Sequence, residues 1–171
     1  MEKKLLLGAL NCQGLEDKID QTMFMDLLRG IDILGVSETW LKDSNASEIS
    51  IPGYKFCYKN RKLAARGGVG LFMKKDLYMK KYVTIRDDLS DENFLWCKVK
   101  KEYLGYQEDL YICMVYIPPE YSSRELRQKN DYFRIQKQTF IGNALFLDKH
   151  FSNDDLIFDI INKLRFLNDT E

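Results

Sequence analysis

The chain has 171 residues, and its 26 Lys and Arg are balanced by 26 Asp and Glu, for a formal net charge of zero. A hydrophobic content of 45% argues against a disordered chain and for one domain with a buried core. No apolar run is long enough to span a bilayer, and the start, Met1-Glu2-Lys3-Lys4, is interrupted too soon for a signal peptide.

Residues 4–12 form an apolar run that ends in a polar turn, as a buried strand does. Ile19, Met23 and Leu27, with Phe24, Leu28 and Ile31, recur at helical spacing, which predicts a helix over residues 17–29 with Gly30 as its stop. Residues 32–37 are a second strand, so the opening reads as a crossover unit. The period then changes. Strands are predicted at 54–58, 69–74, 82–86, 94–100 and 110–116, separated by polar turns, which makes this stretch mainly antiparallel. In the fourth of these, Phe94, Trp96, Lys98 and Lys100 alternate with Leu95, Cys97 and Val99. Residues 124–149 read as mostly helical, with Gly142 as a weak point. Residues 153–167 read as a clearer helix, capped near Ser152 and apolar on one face.

The four cysteines are widely spaced and read as reduced, mostly buried thiols of an intracellular protein. Charge is unevenly placed. Residues 53–101 carry 13 Lys and Arg against 5 Asp and Glu, which suits phosphate contacts. Read without further context, Lys74-Lys75 and Lys80-Lys81 are solvated strand ends and edge protection.

Four short segments hold residues that can carry chemistry. Asn11-Cys12-Gln13-Gly14-Leu15 ends the first strand, and Ser37-Glu38-Thr39-Trp40-Leu41 ends the second. Arg66-Gly67-Gly68-Val69-Gly70 opens a later strand, and Tyr116-Ile117-Pro118-Pro119 closes another. A Glu at a strand end can ligate a hard cation, though alone it reads as a solvated acid. An Asn amide can donate to a phosphate oxygen, or simply close a turn. A Tyr hydroxyl can stabilise developing charge, or be one of the chain's 10 tyrosines in a strand. The glycines after Arg66 are no P-loop, because no Lys-Ser/Thr follows and the next element is a strand. They read as a turn into a strand that closely approaches another.

In this order the segments resemble the endonuclease/exonuclease/phosphatase superfamily, nearest to the endonuclease domain of non-LTR retrotransposons. The resemblance covers residues 1–119, the N-terminal portion of that domain. It implies an α/β fold: an incomplete layered sandwich with a mixed, mainly antiparallel sheet, here followed by a divergent helical tail at 120–171 with two C-terminal helices. It also implies a Mg²⁺-dependent DNA phosphodiesterase of a retroelement; the expected location is intracellular, with the nucleus as one option. Glu38 would be the Mg²⁺ ligand, Asn11 and Tyr116 catalytic residues at the scissile phosphate, and Arg66 a contact to the nucleic-acid backbone. DNA is the implied partner, and no membrane is.

Two of the family's motifs do not match. Its base lies in Ser-Asp-His, whereas the single histidine here, His150, stands in Leu147-Asp148-Lys149-His150. Its Gly-Asp-x-Asn has no counterpart, since Asp159-Ile160-Ile161-Asn162 has one residue too many and no preceding Gly. The expectation is therefore a truncated domain with weak or no cleavage, the alternative being a non-catalytic remnant or a domesticated nucleic-acid-binding or interaction module.

Overall fold

The computed structural model describes residues 4–62 and 66–116, together with the backbone of 144–146. The described residues 4–62 and 66–116 fall in one compact unit. Two four-stranded sheets form it, with strand orders β1-β2-β4-β3 and β5-β6-β7-β8.

Strand β1 (Leu7–Asn11) leads into helix α1 (Thr22–Arg29) and back to β2 (Ile33–Ser37). The two strands pair in parallel, Leu7 with Ile33 through Asn11 with Ser37, as the crossover reading requires. The helix starts later than its apolar spacing suggests. Residues 16–20 form turns, with Lys18 N–H donating to the Leu15 carbonyl and Gln21 N–H to the Lys18 carbonyl. One face of α1 buries Phe24 and Leu28, worth about 2–3 kcal/mol each. The Phe24 ring meets the buried Phe72 edge-on at 5.8 Å.

Strands β3 (Tyr54–Lys59) and β4 (Val69–Lys74) complete the first sheet, and β4 lies antiparallel to both β2 and β3. Alternation along β4 sends Val69, Leu71 and Met73 to one core and Phe72 to the other. The first core joins them to Leu95, Cys97 and Val99 of β6 and to Ile112 and Met114 of β7, so it lies between the sheets. The second packs Phe72, Leu34 and Val36 against α1, Leu41, Ile49 and Ile51. Because helix and loop cover one face and the second sheet the other, β2 is buried at all five positions.

The second sheet consists of β5 (Val83–Ile85), β6 (Phe94–Val99), β7 (Leu110–Val115) and β8 (Ala144–Phe146), with β6 antiparallel to both β5 and β7. Phe94 and Trp96, on the opposite face of β6 from Leu95 and Cys97, are buried too. Three short helices escape a reading based on periodicity: α2 (Asp43–Ala46), α3 (Lys75–Met79) and α4 (Lys101–Leu104). Each is one turn, too brief to show a 3.6-residue repeat.

Two expectations need correction. The helix expected across 124–149 gives way at Ala144–Phe146 to strand β8, where a short apolar triplet following Gly142 joins the edge of β7. The rest of that segment, and the helix expected at 153–167, lie outside the described residues. Lys74 is also more than a solvated strand end. Its Nζ lies 2.7 Å from Asp32 Oδ1, and Asp32 Oδ2 accepts the Leu6 N–H at 2.8 Å, which ties β4 to the start of β2 and to the approach of β1. The Asp32 carboxylate beside it pushes the Lys74 ammonium above its ordinary pKa.

All four cysteines are free thiols, and Cys12, Cys97 and Cys113 are buried. Among the described residues no helix is long and apolar enough to cross a membrane.

Candidate active site

The parallel pair β1–β2 ends in two sharp turns, and these turns place the chemistry. Asn11, the last residue of β1, is exposed beside the buried Ser37, the last residue of β2. Beyond them the chains stay joined. Cys12 N–H donates to the Ser37 carbonyl at 2.9 Å, Gly14 N–H to Glu38 at 2.8 Å and Leu15 N–H to Thr39 at 2.9 Å. The Cys12 thiol donates to the Ser37 carbonyl as well, at 3.0 Å. Burial pushes that thiol up to about 12, so it stays protonated beneath the site.

Glu38 and Trp40 both adopt left-handed backbone, with φ of 55° and 54°. Neither is a glycine, so each costs about 1–2 kcal/mol that the surroundings must supply. The surroundings are the glycine turn before β4. Trp40 N–H donates to the Gly67 carbonyl at 2.9 Å, and Thr39 N–H to the Gly68 carbonyl at 3.5 Å. The carboxylate of Glu38 therefore leaves the end of β2 half-exposed, and its Oε2 accepts the Trp40 indole N–H at 2.5 Å.

Gly67 and Gly68 have φ of 98° and 88°, a region where L side chains are strained. Space forbids a side chain at Gly67 as well. A Cβ there would stand 2.5 Å from Arg61 Cδ and 2.7 Å from Tyr116 Cε1. The expectation of a strand in close approach is met in this form. The guanidinium of Arg61 lies over the Tyr116 ring at 5.8 Å, and that of Arg66 over the Trp40 ring at 5.3 Å. Tyr116 itself is buried, and its N–H is held by the Asn93 carbonyl at 2.8 Å.

A continuous chain of contacts thus runs from Tyr116 through Gly67 to Trp40 and Glu38. Asn11 joins it through the strand pairing, and Arg66 through the Trp40 ring. His150 lies outside the described residues. Sequence reading passed over two participants. The Trp40 indole is a ligand of the Glu38 carboxylate, and its position two residues on in the same segment was the available signal. Arg61 is the cation against Tyr116 and Arg66 the one against Trp40, and nothing in the spacing of residues 61 and 116 announces the first pair.

The donors suit a hard divalent cation that keeps most of its water. Among the described residues no three His, Cys, Asp or Glu side chains converge. A cation at Glu38 would have one protein carboxylate oxygen, with water and phosphate oxygens for the rest, a pattern that Mg²⁺ accepts. Oε2 already accepts the indole N–H, which leaves Oε1 the less encumbered oxygen. Arg61 and Arg66 bring positive charge to the same rim.

This architecture is similar to that of several solved DNA-processing enzymes. A 3' phosphatase from Neisseria bound to a product DNA hairpin superposes with a TM-score of 0.51 at 16% identity, over 77% of this chain and 49% of that one. The endonuclease domain of TRAS1, a telomere-specific non-LTR retrotransposon, gives 0.50 at 11% identity, over 94% and 71%. An AP endonuclease from Archaeoglobus fulgidus gives 0.50 at 13%, over 84% and 56%. The chain spans about half the length of the first and third of these. No protein-family model matches the sequence, and no curated protein sequence matches it. The fold is therefore the α/β sandwich that these solved structures share.

Proposed function

We propose that this chain carries the N-terminal part of a Mg²⁺-dependent endonuclease site of retroelement type, one that engages a DNA phosphodiester and by itself cleaves weakly or not at all. The observation that supports this reading is the placement of Asn11 opposite Ser37, the residue just before Glu38, at the carboxyl ends of parallel strands, where α/β folds collect ligand groups. The likeness to the TRAS1 endonuclease domain and the Ser-Glu-Thr-Trp-Leu segment favour the retroelement branch.

Each residue has a definable task. The Glu38 carboxylate supplies the negative oxygen for the cation. Asn11 donates an amide N–H to a phosphate oxygen. Tyr116 offers a phenol at the far side of the glycine turn, and Arg61 and Arg66 contribute charge toward the DNA backbone. Mg²⁺, when bound, supplies charge neutralisation at the phosphoryl oxygens. In-line hydrolysis also calls for a base to take a proton from the attacking water, and His150 stands in the wrong local sequence for that role. Groups that act as a unit lose most of their catalysis when one is missing, which is the reason to expect weak cleavage.

Supercoiled-plasmid nicking in Mg²⁺, run beside DNA binding by fluorescence anisotropy, tests the proposal. Binding that depends on Mg²⁺ and falls in Glu38→Gln, with little or no nicking, is expected. Robust nicking by the wild type that vanishes in Glu38→Gln would show a complete enzyme. Binding insensitive to both Mg²⁺ and Glu38→Gln would leave only a nucleic-acid-binding module.

A further inference from the structure

We infer that Trp40 is a positioning residue for the Glu38 carboxylate, its indole N–H fixing which oxygen faces a divalent cation; the inference rests on Glu38 being the ligand, as proposed above. The Trp40 indole N–H donates to Glu38 Oε2, a hydrogen bond to an ionised acceptor. Trp40 has no need of it. The residue is 36% exposed, so solvent is at hand beside the ring. The contrast with Trp96 is instructive. That ring is fully buried, yet its Nε1 has no hydrogen-bond partner among the described residues. The beneficiary of the Trp40 bond is the carboxylate.

The ring is held in place to make this bond. Its backbone N–H is anchored to the Gly67 carbonyl at 2.9 Å. Gly14 lies against it so closely that a Cβ there would be 3.1 Å from Trp40 Cε3, and Gly14, with φ of 98°, keeps that space open. Arg66 covers the ring at 5.3 Å. Left-handed backbone at both Glu38 and Trp40 turns the two side chains toward one another. An acid on a flexible stem at the end of a strand is thereby given one orientation. Partners of this kind typically govern metal affinity 10–100-fold.

The test is Mn²⁺ binding to the full chain, followed by the EPR signal of free Mn²⁺, for wild type, Glu38→Gln, Trp40→Phe and Trp40→His. Glu38→Gln should abolish the site. Trp40→Phe keeps a ring without the N–H and should weaken Mn²⁺ about tenfold or more, with the melting temperature little changed. Trp40→His restores an N–H donor and should return affinity to within about threefold of wild type. If Glu38→Gln abolishes binding and Trp40→Phe does not weaken it, the positioning role is wrong and the Glu38 site stands. Equal losses in Trp40→Phe and Trp40→His would assign the effect to the ring's bulk and overturn the inference. A wild type that binds no Mn²⁺, or one matched by Glu38→Gln, would overturn the Glu38 site and the inference together. Should Trp40→Phe fail to fold, a folded Trp40→His decides, near-wild-type affinity supporting the role and a tenfold loss rejecting it.

Discussion

Arg61 lies over the ring of Tyr116, its guanidinium carbon 5.8 Å from the ring centroid, and Gly67 fills the gap where the two side chains meet. A methyl group there would collide with a buried aromatic ring and adopt a backbone angle that only glycine visits freely. Gly67→Ala is therefore expected to destabilise the fold by about 2–3 kcal/mol. Urea unfolding followed by far-UV circular dichroism measures it, and a loss below about 0.5 kcal/mol would show that the turn relaxes freely.

Asp32 is the hinge pin of the opposite end of the first sheet. Its two oxygens hold the Lys74 ammonium and the Leu6 N–H, and it is 8% exposed. Asp32→Ala strands both donors. Lys74 is more than a third exposed and regains water, so most of the cost falls on the Leu6 amide and the lost charge-assisted bond. About 2 kcal/mol is expected, again from the urea midpoint, with an unchanged slope. A variant as stable as wild type would show that the pair only breaks even.

The strands that are legible in the sequence are short apolar runs between turn residues. Residues 69–74 match to the residue, an apolar run entered from a glycine turn and buried on both faces. The crossover at residues 4–37 was equally plain, since a helical period sits between two apolar runs. What stayed hidden was set by tertiary contact. The start of α1 at Thr22 rather than Asp17 depends on turns that carry no apolar repeat. The Trp40 bond to Glu38 and the seat of Arg61 on Tyr116 stayed hidden because left-handed backbone at Glu38 and Trp40 leaves no mark in local composition, and because the glycine turn, legible in itself, meets side chains remote from it in sequence.

Lys98 and Asp109 make a pair whose pH dependence has a defined sign. They lie 2.5 Å apart, with side chains 27% and 15% exposed. Burial raises the Asp109 pKa, but hydrogen bonds from the Lys98 ammonium and the Lys101 N–H outweigh it and leave the carboxyl below its ordinary value. The hydrogen bond to Asp109 lifts Lys98 above its own. The Asp109 contribution is thus present above pH 3.8, its ordinary value, and is lost as pH falls through the lower folded value. The Lys98 contribution is lost only as pH rises through a value above 10.5. Asp109→Asn should cost about 1 kcal/mol at pH 7, and the difference from wild type should close in strong acid. A gap constant from pH 7 to pH 2 would trace the effect to packing instead.

Thiol reactivity should follow burial. Cys12 and Cys97 are both pushed up to about 12 by loss of solvent, so at pH 8 only about one in ten thousand is thiolate. Cys57 is half-buried on β3 and raised as well, but it is the most accessible of the four. Iodoacetamide on the native protein, read by peptide mass spectrometry, should modify Cys57 first and leave Cys12 and Cys97 until denaturant is added. Early alkylation of Cys12 would reveal that the turn beneath Glu38 opens in the native state.

DNA binding, if it runs through the glycine-turn rim, should carry a measurable electrostatic signature. Arg61 and Arg66 each lie over an aromatic ring, and Lys62 is exposed between them in sequence, its backbone N–H held by Glu92 at 3.2 Å. Each phosphate neutralised on duplex DNA adds about 0.9 to the slope of log affinity against log salt. Changing Arg61, Lys62 and Arg66 together to Ala should reduce that slope by about 2–3 and weaken binding most at low salt. Anisotropy titrations from low to moderate NaCl give both quantities at once. Glu38→Gln provides the counterpart, because it removes negative charge from the same rim. In the absence of divalent cation it should tighten binding slightly, whereas with Mg²⁺ present it should weaken it. A triple variant with wild-type slope would move the DNA path away from this rim.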